Sequence, residues 1–261
     1  MSSATAAPQR VGSITRQRRI ALALRIALAI VMLFFALFPV VWIFAASINP
    51  SNSLVSQSLI PENATLSTYW KLFTEEPFLQ WMGNSIIVSA CVTLVGVGLA
   101  ATAGYAFSRY KFKGRDTAMI GLITTQMFPV TMLLLPMFIL LIAIKAYDNY
   151  LGLIIAYSAT ALPFTVWQMK GYYDTIPYSL EEAARIDGCS EFEIFWRIVL
   201  PLAAPALVIT ALFSFMTAWS EYLVAAVLIQ DQNLFTLPLG LKTFQSSMET
   251  SWGLYSAGAV V

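Results

Sequence analysis

Long apolar runs separated by short polar stretches set the pattern of this chain. The first run, Ile20–Ala46, is interrupted only by Arg25 near its start and Pro39 near its end. Further runs lie at about Gly83–Phe107, Ala118–Ile144, Leu151–Met169 and Leu202–Ile229, and a sixth begins near Trp252 and is still incomplete at Val261. A helix needs about 20 apolar residues to cross a bilayer, so the five full runs predict five spanning helices. The first is too long for the apolar part of a secretory signal. Pro129 and Pro136 in the third run and Pro163 in the fourth predict kinks. Kinks of this kind are tolerated in lipid where neighbours or water satisfy the freed carbonyls. In the second run, Gly96, Ala100 and Gly104 recur every four residues. Small residues on one face let two helix backbones approach closely, which predicts a packing seam.

Composition supports the same class. Hydrophobic residues make up 58% and charged residues 11%, against about 25% charged in a typical soluble domain. The expected fold class is therefore an all-α integral membrane protein. Charge adds orientation. Twelve of the 15 basic residues fall in alternate loops. Arg10, Arg16, Arg18, Arg19 and Arg25 lie at the start, Arg109, Lys111, Lys113 and Arg115 after the second run, and Lys170, Arg185 and Arg197 after the fourth. The positive-inside bias places the N-terminus and loop 170–201 in the cytoplasm, and 47–81, 145–150 and 230–251 outside. The outer loop 47–81 holds Pro50, Pro61 and Pro77 and the aromatics Tyr69, Trp70 and Trp81, which suit the bilayer interface. One or two short surface helices are expected there. Residues 1–80 form a cytoplasmic tail, first helix and outer loop, and 81–261 a transmembrane core.

Several chemistries are excluded or unsupported. The chain has no histidine, which removes the commonest general base and metal ligand together. Cys91 sits in an apolar run and Cys189 in a polar loop, with no zinc spacing and no expected disulfide. No glycine-rich phosphate loop is present. The net charge of +1 gives no footing for a nucleic-acid partner, and none is expected. No catalytic residue, metal or cofactor is expected in this chain.

One loop carries a mechanism. Ser179 followed by Glu182 has the spacing of a capping box, Glu181 and Glu182 suit the first turn of a helix, and Gly188 suits its left-handed end. A short helix Leu180–Asp187 is predicted, about 12 Å long. Leu180, Ala183 and Ala184 fall together on it, a leucine-and-alanine face suited to a groove on another protein. Ser190 and Glu193 repeat the capping spacing before a second helix, roughly Glu191–Val199, that leads into Leu200-Pro201 and the fifth run.

Glu182-Ala183-Ala184, three residues, Gly188, nine residues, Ile198, one residue and Leu200-Pro201 match at every position the signature loop of permeases in binding-protein-dependent ABC importers. The chain is therefore similar to that family. Tyr105–Gly114, Ala218–Tyr222 and Phe235–Gly240, with the single N-terminal helix, resemble its sugar-uptake branch of the maltose transporter type, in particular the smaller permease. The resemblance implies six-helix type I importer topology with the last helix incomplete here, and multi-pass residence in the bacterial inner membrane. It implies that the loop docks on a separate ATPase subunit, with Leu180, Glu182, Ala183, Ala184, Gly188, Ile198, Leu200 and Pro201 as coupling residues. It also implies the partners: a second, larger permease, an ATPase dimer that binds ATP and Mg, and an extracytoplasmic sugar-binding protein. The implied cargo is a sugar, such as a maltodextrin, moved by alternating access.

Glu221 stands inside the apolar run Leu202–Ile229. A carboxylate in lipid faces a cavity or a partner, so Glu221 is a candidate gate or interface residue, or a boundary carboxylate reaching water. The rival functions are an ABC permease for a non-sugar solute, which the loop does not distinguish, and an ion-coupled secondary transporter. The latter predicts inverted repeats and midplane charges that the sequence lacks.

Overall fold

The computed structural model describes residues 11–50, 61, 63–245 and 250–261. Arg10, positions 51–60 and 62 of the first outer loop, and positions 246–249 of the last lie outside the described residues. Contacts divide the chain into two units, residues 1–72 with 247–261, and residues 73–246, which is a different division from a cut at residue 80.

In the first unit, α1 (Val11–Ser47) runs unbroken through Pro39. Its stretch Arg18–Ser47 is long and apolar enough to cross a bilayer, and its most apolar window is wholly unburied within the chain. Helix α2 (Ser67–Thr74) is the expected short helix of the outer loop. The Ser47 Oγ and Tyr69 hydroxyl lie 2.7 Å apart.

The second unit is organised around three helices: α3 (Phe78–Arg109), α6 (Tyr150–Tyr173) and α9 (Ala204–Ser220). The small-residue seam of α3 holds. A Cβ on Gly104 would stand 2.8 Å from Met169 Cβ and 3.0 Å from the Lys170 nitrogen, and one on Gly96 would stand 3.3 Å from Ser214 Oγ. Glycine at 104 is thus what allows α3 and α6 to cross at this distance.

Two predicted spans are not continuous helices. The third run divides into α4 (Arg115–Thr125) and α5 (Val130–Ala143), bent by 104°. A kink was expected; a break is found because Pro129 has no N–H and disfavours helix in the residue before it. The fifth run also divides. Helix α9 ends at Ser220, Glu221 is extended with ψ 124°, and α10 (Leu223–Leu228) begins after Tyr222. No proline or glycine forces this break. The Glu221 carboxylate supports it by accepting the Val224 N–H at 3.1 Å, in the manner of a helix cap.

The chain then returns against α3 through a tight turn at Gln232–Leu234 and α11 (Leu237–Thr243). Asn84 Nδ2 donates to the carbonyls of Asn233 and Phe235 at 2.8 and 2.9 Å, and the Leu237 N–H donates to Ser85 Oγ at 2.7 Å. Trp81, expected at the bilayer surface, is only 4% exposed. Its ring fills the place that a side chain on Gly240 would take, with ring carbons 2.1 to 2.6 Å from a Cβ built there. Among the described residues, three helices can cross a membrane by length and composition, and up to five if each of two bent pairs, Arg115–Thr125 with Val130–Ala143 and Glu191–Leu202 with Ala204–Ser220, is one span. The last described helix, α12 (Trp252–Val260), has 9 residues.

Candidate functional site

The loop after α6 folds as two short helices. Helix α7 (Ser179–Ile186) ends at Asp187, and Gly188 follows at φ +88°, the left-handed value expected of it. Helix α8 (Glu191–Leu202) contains a π-helical stretch at Ile194–Val199, where the Leu200 N–H reaches back to the Phe195 carbonyl. The expected capping box at Ser190 and Glu193 is present on both sides. The one expected at Ser179 and Glu182 is not. Tyr178 is already helical, and the Leu180, Glu181 and Glu182 N–H groups go to the carbonyls of Pro177 and Tyr178, so the Ser179 side chain has no orphan donor to serve.

The face predicted for docking is also revised. Leu180 and Ala183 are exposed, but Ala184 is 5% exposed and packs inward with Tyr105, Tyr173, Ile194 and Phe195. The outward surface of α7 consists of Glu182, Ala183 and Ile186, the last 87% exposed, with Leu180 at its flank and Gly188 beyond. Ile198 and Leu200 are half-buried and Pro201 is exposed where α8 leads toward α9.

The residue that fixes this orientation is Glu181, which is 0% exposed. Sequence reasoning placed it merely in a favourable helix turn. Its carboxylate accepts from Arg109 Nε at 2.5 Å and from the Tyr105 hydroxyl at 3.0 Å, with Arg185 Nη2 at 3.9 Å. Arg109 in turn donates to the Ile176 carbonyl at 3.0 Å. A buried carboxylate is retained only when paired and hydrogen-bonded in this way. Both donors sit at the end of α3, so α7 is bolted to a spanning helix. A signal was available in the sequence: Glu181 and Ala184 are three apart and share a face, opposite Glu182 and Ile186.

Secondary contacts stiffen the loop. The Tyr178 ring lies beneath two guanidinium groups, those of Arg185 at 5.2 Å and Arg109 at 5.9 Å. Arg185 also grips Glu191 with two bonds of 2.6 and 3.0 Å, tying the two loop helices together across Gly188. At the base, Asp174 accepts from Lys170 at 2.6 Å and from Ser108 at 2.7 Å. Partial burial alone would raise the Asp174 pKa, but these two donors outweigh it and hold the carboxyl below its usual range.

Glu221, 40 residues further on, belongs to the helix break described above and not to this loop. It is half-buried, and its carbonyl accepts the Tyr157 hydroxyl at 3.4 Å. Cys91 and Cys189 are unpaired thiols.

The loop thus presents an exposed helix on one side and is fastened on the other to a membrane span. Comparison with known proteins shows the family. The chain is 35% identical over 233 residues to the inner membrane ABC transporter permease protein YcjP of Escherichia coli, covering 88% of this chain and 83% of that one. It is 35% identical over 226 residues to the maltodextrin transport system permease protein MdxG of Bacillus subtilis, covering 86% and 81%. It is 34% identical over 229 residues to the trehalose transport system permease protein SugB of Mycobacterium tuberculosis, covering 87% and 84%. A crystal structure of a bacterial ABC transporter involved in alginate import superimposes with a TM-score of 0.79 at 24% identity, over 98% of this chain and 94% of that one, which establishes a shared fold. Residues 95–261 match the family model described as the binding-protein-dependent transport system inner membrane component, and with these relatives the chain belongs to that family of inner-membrane transport permeases.

Proposed function

We propose that this chain is one permease subunit of an ATP-driven sugar importer, and that α7 is the element through which a separate ATPase moves it. The sugar reading rests on relatives named for maltodextrin and trehalose transport. The complete importer contains a second permease, an ATPase pair that binds ATP and Mg, and an extracytoplasmic sugar-binding protein. Sugar passes between the permeases by alternating access.

The observation that carries the coupling role is the two-sided construction of α7. Glu182, Ala183 and Ile186 face away from the chain, while Glu181 on the other side is locked to Arg109 and Tyr105 of α3. An ATPase that seats the outer face on the cytoplasmic side therefore pulls directly on a spanning helix. Gly188 sets the angle between α7 and α8, and Ile198, Leu200 and Pro201 carry the same displacement into α9. Energy enters only if the ATPase holds this helix differently in its open and closed states.

The test is uptake by the full complex in sealed vesicles, with Ala183→Cys crosslinked to the ATPase. Uptake that needs ATP and survives collapse of the proton gradient, with a crosslink from position 183 to the ATPase, is expected. Uptake driven by an ion gradient without ATP, or a position 183 reached only by reagents outside the cell, overturns the reading.

A further inference from the structure

The turn between α3 and α4 gathers cations. Lys111, Lys113 and Arg115 stand close together in the chain, and Asp116 is the only carboxylate beside them. The turn has a fixed shape: Gly114 takes φ +87°, and the Arg115 N–H closes on the Phe112 carbonyl at 3.3 Å. Arg115 Nε donates to the Phe107 carbonyl at 2.6 Å, and its charge acts on Asp174 at the end of α6. Among the described residues, none of the three cations forms an ion pair within the chain. Lys111 and Lys113 are exposed. Lys111, Phe112, Arg115, Asp116 and Thr117 line a polar hollow of about 370 Å³.

An apolar groove of about 700 Å³ lies next to it, between α3, α4 and α6. Its walls include Ala103 and Phe107 of α3, Ala118 and Leu122 of α4, and Leu162 and Val166 of α6. Arg115, Ala118 and Leu122 follow the spacing i, i+3, i+7, so the face of α4 that bears the cation also lines the groove. Phe107 joins the two hollows, because its ring packs against that of Phe112 with centroids 5.6 Å apart. The groove lining is hydrocarbon apart from Thr102 and Thr125, and both hydroxyls donate within their own helices. Thr102 Oγ1 donates to the carbonyls of Gly98 and Leu99 at 3.0 and 3.1 Å, and Thr125 Oγ1 to the Leu122 carbonyl at 2.7 Å. Such a wall suits an alkyl chain and has little to offer a polar solute.

The length of the wall selects the occupant. Helix α4 has 11 residues, about 16 Å, which is half of the roughly 30 Å of hydrocarbon in a bilayer. It runs beside α6 from Asp174, which feels Arg115, to Thr160, whose carbonyl accepts from Gln126 Nε2 at 2.9 Å. A spanning helix of another subunit would find only half its own length of wall. A phospholipid of one leaflet fits: its acyl chain matches the groove in depth and polarity, and its phosphodiester meets the cations at the mouth. Basic pockets between membrane helices on the cytoplasmic side bind anionic headgroups in this way, and the distribution of basic residues places this end in the cytoplasm.

We propose that the groove between α3, α4 and α6 holds an acyl chain of an anionic phospholipid from the cytoplasmic leaflet, with Lys111 and Arg115 binding its phosphate and Lys113 strengthening the field. The site does not depend on which solute is carried. Ser108 donates to Asp174 at 2.7 Å in the same region, so the lipid lies against the base of the α7–α8 loop.

The experiment reconstitutes the complete importer in phosphatidylethanolamine proteoliposomes that contain a trace of phosphatidylglycerol or of phosphatidylcholine, each with a diazirine at the same acyl position. After illumination, mass spectrometry counts adducts on residues 99–107 and 118–125. Phosphatidylglycerol is expected to label these segments at least ten-fold more than phosphatidylcholine. Each cation at a membrane surface contributes about a five-fold factor, so Lys111→Gln with Lys113→Gln is expected to lower that preference at least five-fold. Gly121 lines the groove, and a Cβ built on it meets nothing within 4 Å. Gly121→Phe is therefore expected to fill the groove and cut labelling by phosphatidylglycerol at least five-fold while the complex still assembles. Equal labelling by the two lipids in the wild type overturns the site, and so does a preference unchanged in the lysine variant. A groove without adducts, with Gly121→Cys crosslinked to the second permease, assigns the surface to that subunit and overturns it. Loss of the preference when inorganic phosphate is added at constant ionic strength assigns the turn to a soluble anion and overturns it as well.

Discussion

Replacing Glu181 with alanine removes the one carboxylate that meets Arg109 and Tyr105 inside the protein. Glu181 is 0% and Arg109 8% exposed at the side chain, so solvent does little to replace the lost partner. Removing one member of a buried pair costs about 3–5 kcal/mol, because the other is left charged and unpaired. Here the lower end applies. Arg109 keeps its bonds to the Ile176 carbonyl at 3.0 Å and Ser108 Oγ at 3.1 Å, and only the Tyr105 hydroxyl is wholly orphaned. About 3 kcal/mol corresponds to roughly a hundred-fold rise in the population in which α7 has detached from α3. Amide hydrogen exchange of the assembled complex in lipid nanodiscs reads that population directly. The reporter amides are Asp187 and Cys189, which donate to the carbonyls of Ala183 and Ala184 at 3.0 Å each. Their exchange is expected to quicken about a hundred-fold in Glu181→Ala, and uptake is expected to fall while the ATPase remains active. Glu182→Ala, on the exposed side, is expected to change exchange less than three-fold. The double replacement Glu181→Leu with Arg109→Met, which leaves no unpaired charge, is expected to recover most of the protection. Exchange in Glu181→Ala within three-fold of the wild type would refute the proposed anchoring.

Further outcomes rest on the same geometry. Gly188→Val is expected to insert in the membrane but stall uptake, since a β-branched residue at φ +88° costs about 1–2 kcal/mol. Gly188→Asn is expected to recover much of the activity, because asparagine tolerates that conformation. Gly104→Ala forces a methyl to 2.8 Å from Met169 Cβ and 3.0 Å from the Lys170 backbone, and is expected to destabilise the protein by about 1–3 kcal/mol in thermal unfolding in detergent. Asp174 has a folded pKa below its unfolded value, so its contribution is fully present above about pH 4 and is lost as pH falls through the folded value. Its side chain is 40% exposed, so Asp174→Asn is expected to cost under about 1 kcal/mol at pH 7 and progressively less as the pH falls below about 4, with no change in slope between pH 5 and 8.

Much of this was legible in the sequence because it depends on local patterns. The apolar runs, the Gly96–Ala100–Gly104 seam, the left-handed Gly188 and the Ser190 cap each follow from residues a few positions apart. What was not legible depends on partners distant in the chain. Glu181 is ordinary until Arg109 and Tyr105, more than 70 positions earlier, are brought beneath it. Trp81 reads as an interfacial aromatic until Gly240 supplies a space for its ring. The break at Glu221 has no local breaker and is held by a side-chain cap within otherwise apolar surroundings, so hydropathy alone passes straight across it.

The environments of Glu181 and Glu221 have related physical origins. A carboxylate in or beside a bilayer is costly, and the chain carries only 14 acidic residues. Glu181 meets that cost by being enclosed among donors, which makes it a rigid joint. Glu221 meets it by capping a broken helix, which leaves one oxygen uncommitted. The first arrangement suits transmission of force without contact with a solute. The second holds a helix break in place and adds no link to the cytoplasmic loop. On this argument, substitutions at Glu181 and Glu221 have separable effects: the former breaks the link between hydrolysis and movement, and the latter loosens the break between α9 and α10 while leaving α7 fastened to α3.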